Sequence, residues 1–116
     1  MPYIKSNDGR RVALQNGDTA QNAGELNYQI FYYVKHNLTI NVFKQKVIYS
    51  FVFQFLGTKP NYQRYNDMTG ALVLCAKEIR RRLHLELPFL WQIIESYDEE
   101  IDNYEDKKRD ENGDVE

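Results

Sequence analysis

Lys77, Arg80, Arg81 and His84 stand three, four and seven residues along from the first of them, so on a helix they share one face. With Arg82 completing a run of three arginines, this group has the chemistry to hold a phosphate or a nucleic-acid backbone, because guanidinium and ammonium groups donate charge-assisted hydrogen bonds to phosphate oxygens. The plainer reading is that Arg80 and Arg81 pair with carboxylates of the same chain. A second set, Glu95, Asp98, Asp102 and Glu105, repeats at three, four and three, which brings pairs of carboxylates together on a helix.

Such pairs bind Mg²⁺ in helical nucleotide pyrophosphohydrolases, which use matched Glu-x-x-Glu and Glu-x-x-Asp units from two helices. Glu95-x-x-Asp98 has the second form, and no Glu-x-x-Glu precedes it. Glu78, Glu95, Asp98 and Asp102 would be the ligands of such a hydrolase, and a solvated acidic face is the simpler expectation. Asp110 to Asp114 resembles a calcium loop but lacks the glycine at six and the glutamate at twelve. His36 and His84 are isolated, so no zinc site is expected. Cys75, the only cysteine, falls on an apolar stripe and reads as an inert buried thiol. No glycine-rich phosphate loop or nucleophile motif is present, and no cofactor is expected.

The elements that must carry these residues read as helices. Residues 1–21 are polar, contain Gly9 and Gly17, and read as an irregular arm. Asn22 can cap a first helix, with Glu25 closing a capping box, and Leu26, Ile30, Tyr33 and Val34 follow at helical spacing. Phe43, Val47, Phe51 and Phe55 step by four towards a capping Gly57. That segment, 43–56, is rich in β-branched and aromatic residues, so a strand is the alternative. Tyr65, Met68, Leu72, Cys75, Ile79 and Leu83 mark a third helix, ended or bent by Pro88. Leu90, Ile94, Tyr97, Ile101 and Tyr104 alternate four and three, predicting a fourth helix with a coiled-coil-like stripe. Residues 107–116 read as a frayed end on composition.

A chain of 116 residues suits one domain, 1–116, with a helical body over 22–106. The expected fold class is mainly α: a small bundle of three to four helices with an irregular N-terminal arm. No apolar run follows the first charges, and no stretch reaches the roughly 20 apolar residues of a membrane helix, so the expected location is the cytoplasm, away from any membrane. The net charge of −2 hides an asymmetry. Residues 1–94 hold twelve Lys/Arg and six Asp/Glu, whereas residues 95–116 hold three and eleven. The acidic C-terminal segment is expected to dock on the basic face. Overall acidity argues against a dedicated nucleic-acid binder. Nine tyrosines suit either the rim of a thin core or a contact surface, and with the fourth-helix stripe they suggest a homo-oligomer, a dimer.

Several phrases resemble a family of short proteins encoded by phages and prophages. They are Met1-Pro2-Tyr3-Ile4, Gly24-Glu25-Leu26-Asn27-Tyr28, Asn61-Tyr62 through Asn66, Gly70-Ala71-Leu72 and Arg81-Arg82, in that order. Tyr104-Glu105-Asp106-Lys107-Lys108 and Glu111-Asn112-Gly113-Asp114-Val115 complete the series. The chain departs from the family by extra residues between Tyr28 and Asn61 and between Arg82 and Tyr104. The resemblance implies a viral origin and no assigned activity. The shared terminal motif also suggests that Asn112-Gly113 turns Val115 back to the body.

The resulting expectation is a non-enzymatic phage-type accessory protein that binds a host or viral protein, or a small ligand, with antagonism of host defence as one setting. The metal-dependent nucleotide hydrolase is the alternative. A third reading is a phosphate- or nucleotide-sequestering protein using Lys77, Arg80, Arg81, Tyr28 and Tyr62. Asn27, Tyr104, Glu105 and Asp106, from the family-like motifs, complete the candidate binding residues.

Overall fold

The computed structural model describes residues 9–103. They form α1 (Gly9–Gln15), α2 (Ala23–Lys35), α3 (Val42–Leu56), α4 (Tyr62–Leu83) and α5 (Phe89–Ser96), and a further helical stretch covers 98–103. Among the described residues there is no strand, so 43–56 is helical. Three helices start the same way. Asn22, Asn41 and Asn61 take extended backbone, and their Oδ1 atoms accept from the N–H groups of Glu25, Lys44 and Arg64 at 2.9, 2.9 and 2.8 Å. Each cap satisfies a donor that the first turn leaves without an intrahelical partner. Gly57 ends α3 at φ 77°, where glycine avoids the Cβ penalty. His84 ends α4 in the left-handed region at φ 55°, ahead of Pro88.

α2 is the hub. It packs on α1, α3 and α4, and α5 packs on α4. Leu26 to Phe31 is an unbroken buried run, which marks a helix covered on nearly all sides. α2 and α4 run parallel: Gly24 lies near Gly70, the Asn27 carbonyl accepts from the Cys75 thiol, and Phe31 meets Arg82. α5 runs back along α4, from Trp91 beside Ala76 to the Tyr97 ring 6.0 Å from that of Tyr65. One apolar core joins all five helices through residues such as Leu14, Ile30, Val52, Leu72 and Ile93.

The structure corrects the expectation of three to four helices and an irregular arm, since 9–15 is helical. Seven residues are too few for a helix to persist alone, and local periodicity is weak, so α1 depends on tertiary contacts. Leu14 is fully buried. The Arg10 guanidinium holds the Glu25 carboxylate through Nη2 (2.6 Å) and Nε (3.1 Å), and also reaches Asp18 Oδ2 (2.7 Å) and the Thr19 carbonyl (3.0 Å). Glu25 therefore does not close a capping box on Asn22. Its carboxylate faces Arg10 and accepts from the Gln21 N–H instead. Gln29, buried in α2, donates from Nε2 to the carbonyls of Leu14 and Asp18 at 3.0 and 2.8 Å.

The predicted fourth helix is interrupted. At Tyr97 the N–H turns to Ile94 O, three residues back, and the helical bonding resumes with Ile101 to Tyr97 O. On α3, Phe43 heads the apolar pattern read from the sequence but is 71% exposed. The buried face is instead Ile48, Phe51, Val52, Phe55 and Leu56.

Gln29→Leu should cost about 1–3 kcal/mol in denaturant unfolding, because the Asp18 carbonyl loses the Gln29 donor and the Leu14 carbonyl is left with the Gly17 N–H. The Arg10 guanidinium lowers the carboxyl pKa values of Asp18 and Glu25 below their ordinary values of 3.8 and 4.5. Stabilisation from a depressed carboxyl is present above its unfolded value and lost as pH falls through the folded one. Arg10→Met should therefore lower the melting temperature by a constant amount from pH 7 to about 5, and the gap should close below about pH 4. A gap unchanged at about pH 2.5 would show that these carboxylates do not hold α1.

Candidate functional site

Arg10 and Arg11 are neighbours in α1 and leave the helix in different directions. Arg10 enters the clamp. Arg11 lies over the Tyr28 ring, its guanidinium carbon 5.4 Å from the centroid. Tyr28 is buried, and its hydroxyl accepts from Gln15 Nε2 at 2.8 Å. Around these groups is a cleft of about 280 Å³ between α1, α2 and the end of α4. α1 contributes Arg11 and Gln15. α2 and its cap contribute Tyr28, Phe31, Tyr32, Lys35 and His36, and α4 contributes Arg82.

The cleft carries four basic side chains, Arg11, Lys35, His36 and Arg82, and no carboxylate among its lining residues. Arg82 sits over the Phe31 ring at 4.9 Å. Along α2 the aromatic rings of Tyr28, Tyr32 and His36 form a ladder, with centroids 6.1 and 4.3 Å apart. Lys35 and Arg82 occupy the last turns of α2 and α4, where positive charge complements the helix dipole. Arg11 has no such support. It stands in the first turn of α1, the end that disfavours a cation. Its Nε is buried without a hydrogen-bond partner, and none of the ion pairs among the described residues includes Arg11, Lys35 or Arg82.

The basic face read from the sequence is a different place. Lys77 and Arg80 line a cleft of about 340 Å³ with Ala76, Leu85, Pro88 and Trp91. Arg80 pairs with Glu86 at 3.7 Å, and Arg81 with Glu78 at 2.9 Å. These acidic partners are local, and both arginines are largely exposed. The described part of the acidic segment runs the other way: Asp98 and Ile101 adjoin Tyr62, Asn66 and Thr69 at the start of α4. That is about 25 Å from Arg82, by the helical rise of about 1.5 Å per residue from Tyr65.

Tyr62 and Tyr28 thus line different clefts, and Lys77, Arg80, Arg81, Tyr28 and Tyr62 do not form one site. Asn27 is buried in the seam between α2 and α4, beside a cleft of about 200 Å³ near Gly24 and Gly70. Tyr104, Glu105 and Asp106 lie outside the described residues, as do 107–116. Among the described residues, no three His, Cys, Asp or Glu side chains gather, so Glu78, Glu95, Asp98 and Asp102 make no common centre. Glu78 is turned to Arg81. No described helix is long and apolar enough to cross a membrane.

Sequence reasoning singled out Tyr28, took Arg82 only as part of the arginine run beside Lys77, set His36 aside as isolated, and passed over Arg11, Gln15, Tyr32 and Lys35. A signal for some of them exists. Arg82 follows Cys75 and Ile79 at helical spacing but is exposed, with its guanidinium over the Phe31 ring. Tyr28, Tyr32 and His36 repeat at four. No protein-family model matches this chain, and no curated protein or solved structure is significantly similar to it.

Cys75 is fully buried, and burial, with the nearby Glu78 charge, pushes its thiol well above the ordinary range. A thiol-disulfide reagent should leave it unmodified in the native protein and react at once in denaturant. Rapid native labelling would contradict the placement of Cys75 in the core.

Proposed function

We propose that this chain is a non-enzymatic binding protein whose ligand is a small anion held in the cleft between α1, α2 and α4. The observation that carries this reading is Arg11. Its Tyr28 contact is a modest cation–π interaction, worth roughly 0.5–2 kcal/mol, and leaves the Nε–H unused. An anion seated between Arg11, Lys35 and Arg82 would supply the counter-charge that the ion pairs among the described residues do not give them. The resemblance to phage- and prophage-encoded proteins supplies a setting for this reading: an accessory protein in the host cytoplasm that acts by binding, with counter-defence among its roles.

A protein partner is a second reading, favoured by α3. Val42 and Phe53 are 68% and 64% exposed and lie three turns apart on one face, with half-buried Tyr49 between them. Such a face suits a second copy of the chain or a host or viral protein.

Pyrophosphate titrated into the full chain tests the first reading. Arg11→Ala and Arg82→Ala should each weaken binding roughly 10- to 100-fold, the range of a lost hydrogen bond to a charged group. Arg81→Ala, outside the cleft, should leave it within about twofold. An equal loss from Arg81→Ala would mean that only overall charge matters. For the second reading, Phe53→Glu should convert a dimer to a monomer in sedimentation, and a wild-type chain already monomeric at tens of micromolar would refute self-association.

A further inference from the structure

We infer that the anion is a nucleoside phosphate, with its phosphoryl group at Arg11, Lys35 and Arg82 and its base against the Tyr32–His36 end of the aromatic ladder. This rests on the anion-binding reading above and adds the chemistry of the rest of the ligand. Three features of the cleft support it.

The first is charge and shape. Two guanidinium forks and an ammonium suit the several oxygens of a phosphoryl group better than the two of a carboxylate. The second is the wall. A site for a bare oxyanion needs only donors, yet this one offers aromatic surface: Tyr32 is half-buried and His36 exposed beside the cations. Every nucleobase has a flat face that stacks on such rings. The third is edge and size. Gln15 uses Nε2 on Tyr28, and its Oε1 accepts no hydrogen bond among the described residues, so the amide has an acceptor left for the polar edge of a base. A volume of about 280 Å³ is far larger than an inorganic phosphate needs and lies near the lower limit of small-molecule pockets, roughly 300 Å³.

A phosphotyrosine side chain shares the phosphoryl group and the flat ring. Its ring edge has no heteroatom for Gln15, and the nucleoside phosphate is favoured on that ground.

Calorimetric titration of the full chain with the four nucleoside 5′-monophosphates, ribose 5-phosphate, the free nucleosides, inorganic phosphate and O-phosphotyrosine tests the inference. At least one nucleotide should bind tenfold or more tighter than ribose 5-phosphate and than its own nucleoside. Tyr32→Leu should remove the advantage over ribose 5-phosphate, and so should His36→Ala, whose exposed position makes misfolding no explanation. Arg11→Ala should weaken nucleotide and ribose 5-phosphate alike and leave the nucleoside unchanged. A nucleotide no tighter than ribose 5-phosphate would overturn the inference and leave the anion site standing. O-phosphotyrosine binding more tightly than every nucleotide would overturn it in favour of a phosphopeptide. Failure of every phosphate to bind would remove both readings.

Discussion

The Arg10 guanidinium fastens a helix that has little else to keep it folded. α1 is seven residues long, and its burial in the core rests mainly on Leu14. By meeting Glu25 with two nitrogens and Asp18 with a third, Arg10 fixes both the position of α1 on α2 and the course of the connection between them. Gln29 fixes the same connection from the inside by donating to two of its carbonyls. Everything α1 brings to the cleft follows from that attachment. With Arg10 committed to the clamp, the next residue is turned about 100° around the helix axis, and Arg11 arrives over Tyr28. An arginine that fastens the helix and one that faces the cleft are thus adjacent in sequence because a helix separates neighbours in direction.

The parallel arrangement of α2 and α4 explains the remaining charge in the cleft. Parallel helices place their C-terminal ends on the same side, and both ends favour cations. Lys35 and Arg82 are therefore compatible with the fold before any ligand is considered, and the cleft between those ends is basic as a result. α2 also has more buried residues than any other helix, and this explains why its polar residues are so constrained: a Gln in the middle of a covered helix is tolerable because its Nε2 has two carbonyls to serve.

Helices α2, α3 and α4 were legible because their signals are local. An asparagine cap acts within three residues, and an apolar stripe repeats within one turn. α1 was not legible, because Arg10 and Glu25 are fifteen residues apart and nothing near Gly9 announces a helix. The stripe from Leu90 to Ile101 reads as one helix, yet its spacing survives the irregular turn at Tyr97, so periodicity does not reveal the break. Phe43 shows the opposite error: the spacing is right, but the first turn of α3 lies outside the core. The basic face was visible, and two of its arginines make short-range pairs with Glu86 and Glu78. The cleft was hidden because three helices contribute to it: Tyr28 stood out within the Gly24–Tyr28 phrase and Arg82 within the arginine run, and nothing local joined the two.

The turn at Tyr97 also decides where the negative charge goes. Glu95, Asp98, Glu99, Glu100 and Asp102 follow one another with no Lys or Arg over 95–103, and the Asp98–Ile101 stretch adjoins the first turns of α4. Lys77, Arg80, Arg81 and Arg82 crowd its last turns, together with Lys35. The described body is therefore an elongated electric dipole, positive at the end that holds the cleft. In the field of such a body, a diffusing anion is drawn towards the open cleft and repelled from the opposite end before any contact is made. Salt damps that guidance over a Debye length of about 8 Å at physiological ionic strength, so the pull on any anion is strongest in dilute buffer.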